Sequence, residues 1–525
     1  MSKHSLLSKL ATVALALLLC RTEVAAAGPS PTPESVESLQ RRIYSVISQP
    51  RYNAALWGVK VVSLDTHKTL YECNAGRLFA PASNSKLFTM ALMLDRLGPD
   101  YRITTSLYAK ERPNSRGTLK GDLVVYGRGD PTITGHLHNG DLAAALEPLV
   151  SALVNAGVKK INGDLIGDES FFHGPPFGSD WSWNDLQYPF AAEVSALTIN
   201  DNALTVVVRA GAQAGLPGIV AVVPPTHYIA ISNLTQTVAR NAEAGLSLYR
   251  PLGENVVYVS GGVPEETPGA GDDVTVHRPA GLFMEQFREA LARHGITVSG
   301  HTRLVNWLDR QAQPIGYGQW VELGSARSPA LDDMVREVEK SSVNLYADLL
   351  LAHLGSMSHG KIPFAPDETS EDAGMRALRD FLTEAGVPAG EALLNEGSGL
   401  SNGNLATPNA IVKILAFMSR HKCAKEYFDA LPVAGTDGTL RARMRQTVAA
   451  GAVHAKTGTS TWANSLSGYV TSAAGERLAF SLMLNRYQTS DPDHAKAADL
   501  DAIAVMLAGF TGRTGPAGTT GVEAP

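Results

Sequence analysis

Leu87, Phe88, Met90, Ala91, Leu92, Met93, Leu94 and Leu97 form a nearly unbroken apolar run with little polar face. That pattern predicts a helix buried on most sides, ended by Gly98 and Pro99. Ahead of it, "SVESLQRRIYSVI" has helical spacing, and "WGVKVVSL" and "TLYECN" read as strands joined by "DTHK". From about Tyr101 to Gly324 the texture changes to short β-like runs between Gly, Pro and Asp, such as "GDLVVYGRGDP", "NALTVVVRA" and "NVVYVSGG". Helical periodicity returns at "SPALDDMVREVEK", where Ser328 is the expected cap and Pro329 the first-turn residue, and continues in "NLYADLLLAHLG". The remainder predicts a helix from Thr407 and Pro408, a strand "VHAKTGTS", a hairpin "SGYVTSAAGERLAFSLMLN" and a last amphipathic helix around "AADLDAIAVMLAGF". Two strands near the beginning and three near the end are expected to complete one antiparallel sheet flanked by helices, an α/β (α+β) fold split by a β-rich excursion. The expected division is a first catalytic part at 36–98, an insert of two subdomains at 99–324, a second catalytic part at 325–511 and a disordered tail at 512–525.

A chain of 525 residues exceeds what one core usually organises. With 44% hydrophobic and 18% charged residues it reads as folded, and a formal charge of −6 leaves no basic footprint for nucleic acid. At the N-terminus, Lys3 and Lys9 precede "LATVALALLLC", and "VAAAG" offers small residues where a signal peptidase would cut, near Ala27. Residues 1–27 are therefore expected to direct export. A lipid anchor at Cys20 is the competing reading, disfavoured by Leu19 before it. No later apolar run nears the roughly 18 residues that span a bilayer. Cys73 and Cys423 then remain, free to pair in an oxidising compartment or to stay as isolated thiols.

Candidate chemistry begins with Ser83 and Lys86 at the mouth of the apolar helix. Roughly two Ser-x-x-Lys matches are expected by chance in a chain this long, and Ser358/Lys361 and Ser419/Lys422 are such matches, better explained as structure. Ser83 differs in its setting, because backbone N–H groups and the positive dipole end of a buried helix are aimed at it. A lysine one turn on, desolvated by Leu87, Phe88 and Met90, would have its ammonium destabilised and its amine available as a base. The plain alternative is a helix cap with Lys86 reaching to solvent. Ser342-x-Asn344 at a helix junction and Lys456-Thr457-Gly458 on a strand follow in order. Ser401 within "GLSNG" meets the nucleophile-elbow pattern but lacks the strand before and helix after that the elbow needs. His136 and His138 form one close pair in a Gly-rich loop, with no H-E-x-x-H in the chain, so no metal is expected.

S-x-x-K, S-D-N and K-T-G are the motif trio of penicillin-binding proteins and class A β-lactamases; here the three occur in that order, with the middle one reading Ser-Val-Asn. The chain further resembles the class C low-molecular-mass penicillin-binding proteins, the D-alanyl-D-alanine carboxypeptidase/endopeptidase family, through "GRGDP", "INGDLIGDESFF", "SALTINDNAL", "EGSGLSNGN" and "LPVAGTDGTLRARM". Glu396 and Asn402 depart from the family's usual Asp and Arg in the fourth of these blocks. The resemblance implies a β-lactamase/transpeptidase-like domain in which Ser83 attacks a terminal D-Ala-D-Ala bond while Lys86 takes its proton. It also implies that Ser342 relays a proton to the leaving amine and Asn344 binds the acyl part. Lys456 and Thr457 would hold the terminal carboxylate beside Gly458, and the N–H groups of Ser83 and Thr459 would form the oxyanion hole. Peptidoglycan stem peptides would be substrates, β-lactams covalent inhibitors, and no cofactor is implied. A β-lactamase or a non-catalytic cell-wall sensor are the alternatives. Trp181 and Trp183 could line a wall-binding surface, though packing is the plainer account.

Overall fold

The computed structural model describes residues 33–358, 368–489 and 497–515. The expected signal segment, Cys20 and most of the 358–361 match lie outside them. Strands β1 (Leu56–Ser63) and β2 (Thr69–Cys73) join β3 (Val453–Ser460), β4 (Ala463–Thr471) and β5 (Arg477–Asn485) in one antiparallel sheet of order β3-β4-β5-β1-β2. The two ends of the chain meet in the pairing of β1 with β5, from Leu56 opposite Asn485 to Ser63 opposite Leu478. Alternation along β5 sorts the side chains. Leu478, Phe480, Leu482 and Leu484 pack with helices α1 (Val36–Ile47) and α7 (Ala498–Ala508), while Ala479 and Met483 face the core of α2 (Lys86–Leu97) and α6 (Pro408–Met418). Both faces of the sheet are thus covered, which explains why β4 and β5 read as continuous buried runs.

Helices α3 (Leu331–Ser341), α4 (Asn344–Ser358) and α5 (Ser370–Glu384) complete the layer around α2. Ser328 does not cap α3 and Pro329 is not in its first turn. The helix starts at Leu331, and the Ser328 hydroxyl instead accepts from Ile103 N–H at 2.9 Å and donates to Pro329 C=O at 2.7 Å. Thr407 does cap α6, accepting from Ala410 N–H at 3.0 Å. Residues 512–515 depart from the expected tail, since Thr514 N–H donates to Glu476 at 3.1 Å, while 516–525 lie outside the described residues.

The excursion leaves through the strand Thr104–Ala109 and returns through Val321–Arg327, and these two pair antiparallel, with Thr104 opposite Arg327. Its entry and exit therefore lie side by side, and a long insertion between such points need not disturb the host sheet. The insert has the expected strands but also two long helices that the sequence reading missed, Leu142–Asn155 and Pro279–Arg293. Asp141 caps the first by accepting from Ala143 and Ala144 N–H. Phe172, Ala192 and Ala196 of the insert pack on Leu345, Leu349 and Ala352 of α4, bringing residues 172–196 beside the start of that helix.

Candidate active site

Ser83 lies in a single 3-10 turn, Ala82–Ser85, and the α-helix proper begins at Lys86. In such a turn positions i and i+3 eclipse, which stacks the lysine over the serine. Ala82 adopts φ 47°, left-handed backbone in a residue with a Cβ, and so stores strain beside Ser83. Lys86 is fully buried. Its Nζ lies 3.0 Å from Ser83 Oγ, 2.6 Å from Asn344 Oδ1 and 2.6 Å from Ser398 O. Burial pushes its pKa down to about 8, against the opposing pull of buried carboxyl groups, that of Glu396 the largest. The solvent-facing cap of the plain alternative is not what forms.

Ser342 is the hinge between α3 and α4, at φ 61°. Its hydroxyl accepts from Lys456 Nζ at 2.7 Å. Lys456 is fully buried on β3, and burial pushes its pKa down to about 7 while Glu339 pulls upward. The Asn344 amide ties the two sides together, since Oδ1 accepts from Lys86 and Nδ2 donates to Phe190 C=O of the insert at 2.8 Å. Asn84, next to Ser83, donates to Lys456 C=O at 3.1 Å, so the Ser83 turn is pinned directly to the Lys-Thr-Gly strand.

β3 pairs with β4 along one edge, while its other edge is met at the start by residues 432–434, where Ala455 N–H donates to Pro432 C=O at 2.9 Å; the stretch from Lys456 onward is left as a template for an extended peptide. Thr457 donates from Oγ1 to Thr439 Oγ1 at 2.8 Å, and Thr459 is exposed. Gly458 has no room for a side chain: a Cβ there would overlap Ser465 Oγ and come within 2.6 Å of Pro81 O. Gly458→Val is therefore expected to push β3 off the Ser83 turn and cut acylation by about 100-fold, a displacement effect, with a melting temperature lowered by several degrees. Stopped-flow labelling by a chromogenic cephalosporin checks it.

Ser83, Lys86, Ser342, Asn344, Lys456, Thr457, Gly458 and Thr459 thus come together from three distant stretches. The competing sites do not assemble. Ser401 is buried in a loop, its Oγ accepting from Gly403 N–H at 3.0 Å, with neither the strand nor the helix of an elbow around it. Ser419 Oγ donates to Ala416 C=O, and Lys422 reaches Asp95 C=O. His136 bonds Asp201 and Thr134, and no His/Cys/Asp/Glu group fit for a metal exists among the described residues. Cys73 and Cys423 are both free, Cys423 buried near α2 and Cys73 on β2. Sequence reasoning missed Ser398, Asn84, Phe190 and Thr439. The blocks around Ser398 and Thr439 had drawn attention, without a role for either residue.

The covered antiparallel sheet, with a serine-lysine pair seated against its edge strand, defines a protein of the serine β-lactamase/transpeptidase class. The chain belongs to the D-Ala-D-Ala carboxypeptidase 3 (S13) family, whose profile matches residues 39–507. The D-alanyl-D-alanine carboxypeptidase of Actinomadura sp. (strain R39) is 33% identical over 501 residues, covering 93% of this chain and 87% of that protein. D-alanyl-D-alanine carboxypeptidase DacB of Haemophilus influenzae is 27% identical over 434 residues, covering 82% and 85%. The crystal structure of penicillin-binding protein 4 (dacB) from Haemophilus influenzae superposes with a TM-score of 0.72 at 26% identity, covering 90% of this chain and 98% of that one. A structure of the same protein complexed with a β-lactam gives 0.70. The resemblance read from the motifs holds: this is a class C low-molecular-mass penicillin-binding protein, a serine-type D-Ala-D-Ala carboxypeptidase by family. No helix among the described residues is long and apolar enough to cross a membrane.

Proposed function

We propose that the chain hydrolyses the terminal D-Ala-D-Ala bond of peptidoglycan stem peptides, or the corresponding cross-link, through an acyl-enzyme on Ser83. The observation that carries this is the environment of Lys86 Nζ. A neutral amine has two N–H donors and one lone pair. Asn344 Oδ1 and Ser398 O, each at 2.6 Å, take the donors, and the lone pair is left for the Ser83 hydroxyl at 3.0 Å. After proton transfer, the same three oxygens accept from the ammonium. Both protonation states are satisfied without movement, as a proton-shuttling base requires.

Ser83 Oγ attacks the penultimate D-Ala carbonyl as its proton passes to Lys86. The N–H groups of Ser83 and Thr459 bind the developing oxyanion, at roughly 3 kcal/mol per donor. The proton returns through Ser342, held by Lys456, to the departing D-alanine amine, while Asn344 binds the acyl portion. Water then releases the acyl group. Lys456 and Thr457, with Gly458 alongside, hold the terminal carboxylate, and β-lactams, which carry a comparable carboxylate, acylate the same serine. The complex formed by the Haemophilus relative supports that last point. The reading extends to a catalytic domain built from 36–98 and 325–511 around the insert 99–324, and to an exported protein with a cleaved leader at 1–27.

Release of D-alanine from a stem pentapeptide, measured by amino-acid oxidase coupling, tests the proposal. Covalent labelling without release would favour a sensor, and rapid nitrocefin turnover a β-lactamase. The pH profile is a further prediction. kcat/KM should rise as Lys86, at about 8, loses its proton and fall as Lys456, at about 7, loses the charge that binds carboxylate, giving overlapping limbs. A bound carboxylate raises Lys456, so the falling limb moves to higher pH in kcat. An amide-capped peptide should lack it, and a falling limb shared by both substrates would remove Lys456 from this role.

A further inference from the structure

We propose that Glu396 and Asp348 form a carboxyl pair that shares one proton and positions Lys86, holding it in place and supplying its counter-charge. The inference rests on the reading of Lys86 as the base, and neither carboxyl touches substrate.

Glu396 is fully buried in the loop 395–404. One carboxylate oxygen accepts from Ser398 N–H at 2.7 Å and Ser398 Oγ at 2.5 Å. The other accepts from Gly399 N–H at 2.6 Å, Ser401 N–H at 3.3 Å and Asn404 Nδ2 at 2.6 Å. Loop N–H groups folded inward on one carboxylate turn their carbonyls outward, and two of these meet α2. Ser398 C=O accepts from Lys86 Nζ at 2.6 Å, and Gly397 C=O accepts from Thr89 Oγ1 at 2.7 Å. Gly399, at φ 91°, packs so closely on the Ala82 carbonyl that a Cβ would overlap it. The loop is therefore moulded to the nucleophile turn from inside, by Glu396.

Asp348 lies on α4, one turn beyond Asn344, and its oxygens meet no N–H or hydroxyl donor among the described residues. Its carboxyl neighbour is that of Glu396, whose charge bears on it. Two ionised carboxylates would repel there and leave Asp348 unsatisfied, whereas one proton lets Asp348 O–H donate to Glu396. Burial, then the Glu396 charge, push the Asp348 pKa well above the usual carboxylate range. Glu396 already accepts from five donors, so the proton resides on Asp348. Asp348 also lines a cavity of about 770 Å³ between the insert and α4, with Glu169, Glu193, His277, Trp307 and Glu371 in its wall. The other charged groups facing the pair are Lys86 from α2 and Glu371 from α5, and through Lys86 it senses Glu339 of α3 and Lys456 of β3.

The test measures acylation by a fluorescent penicillin against pH, in folded full-length variants checked by thermal melting. Glu396→Gln places an amide NH2 among inward donors and removes the counter-charge. It should slow acylation about 100-fold and move the rising limb to lower pH by about half a unit or more, because the Lys86 ammonium loses support. Glu396→Asp keeps the charge and should keep the limb in place. Asp348→Asn keeps a donor toward Glu396 and should leave the limb unmoved and the rate within about threefold. A limb moved downward by Asp348→Asn would mean that Asp348 is ionised and would overturn the shared proton, even if Glu396→Gln fails to fold. Slowing by Glu396→Gln without a shift of the limb would reduce Glu396 to a scaffold. Unimpaired acylation by Lys86→Met would instead overturn the reading of Lys86, and is read separately from the other variants.

Discussion

Ser83→Ala is expected to abolish D-alanine release and penicillin labelling together, with the rate falling by about 10,000-fold or more, because the proposed mechanism gives the acyl bond to Ser83 Oγ. The side chain is small and partly exposed, so its loss leaves no cavity of consequence, and the melting temperature should stay near that of the parent. The adduct site adds a positional test. Arg77 and Lys86 bound a tryptic peptide running from Leu78 to Lys86, and in the parent protein the penicilloyl mass should appear on that peptide alone. A label on the peptide carrying Ser342 or Ser401 would assign the nucleophile elsewhere. Retained release in the variant would do the same. The loss exceeds that expected for any other single change, since in the proposed mechanism the remaining groups tune or position a reaction whose covalent step falls to this one oxygen.

The five-stranded sheet was legible because each of its strands is a local pattern with turn residues at its ends, and the trio was legible because its members are close in sequence within each motif. What joins them is not local. Lys86 meets Ser398 across 312 positions and Asn84 meets Lys456 across 372, and nothing in periodicity announces such pairs. Glu396 stood out only as a departure from a family block. A single acid among Gly, Ser and Asn reads as a solvated loop, and its burial becomes visible only when five donors close on it. The helix Leu142–Asn155 is a different kind of miss. Its cap Asp141 and its apolar positions Leu142, Ala145, Leu146, Leu149, Val150 and Leu153 carry a plain helical period. The surrounding Gly- and Asp-rich strands and the internal Pro148 drew the reading toward β-structure instead. Ser328 shows a long-range bond overriding a local rule, since the hydroxyl that suits a cap is taken by Ile103 N–H from the start of the insert.

Lys86→Met separates catalysis from stability in one residue. Acylation should fall by about 1,000- to 10,000-fold, the range of a lost general base, because Met fills the lysine's volume without a lone pair. Three oxygens lose a donor, at about 1–3 kcal/mol for each one left buried and unpaired. Against that stands removal of a desolvated ammonium. The folded pKa of Lys86 is about 8, below the 10.5 of an ordinary lysine, so between those values the unfolded chain binds more protons than the folded one. Stability contributed by this residue is then lowest below pH 8 and rises toward pH 10.5, by roughly 3 kcal/mol across the window. The parent protein should therefore gain on Lys86→Met as pH is raised from 7.5 to 10.5 in urea titrations, with other buried groups, Lys456 included, common to both. A constant difference between the two across that range would mean that Lys86 keeps an ordinary lysine's proton in the folded state, and the amine beside Ser83 would then be no base at neutral pH.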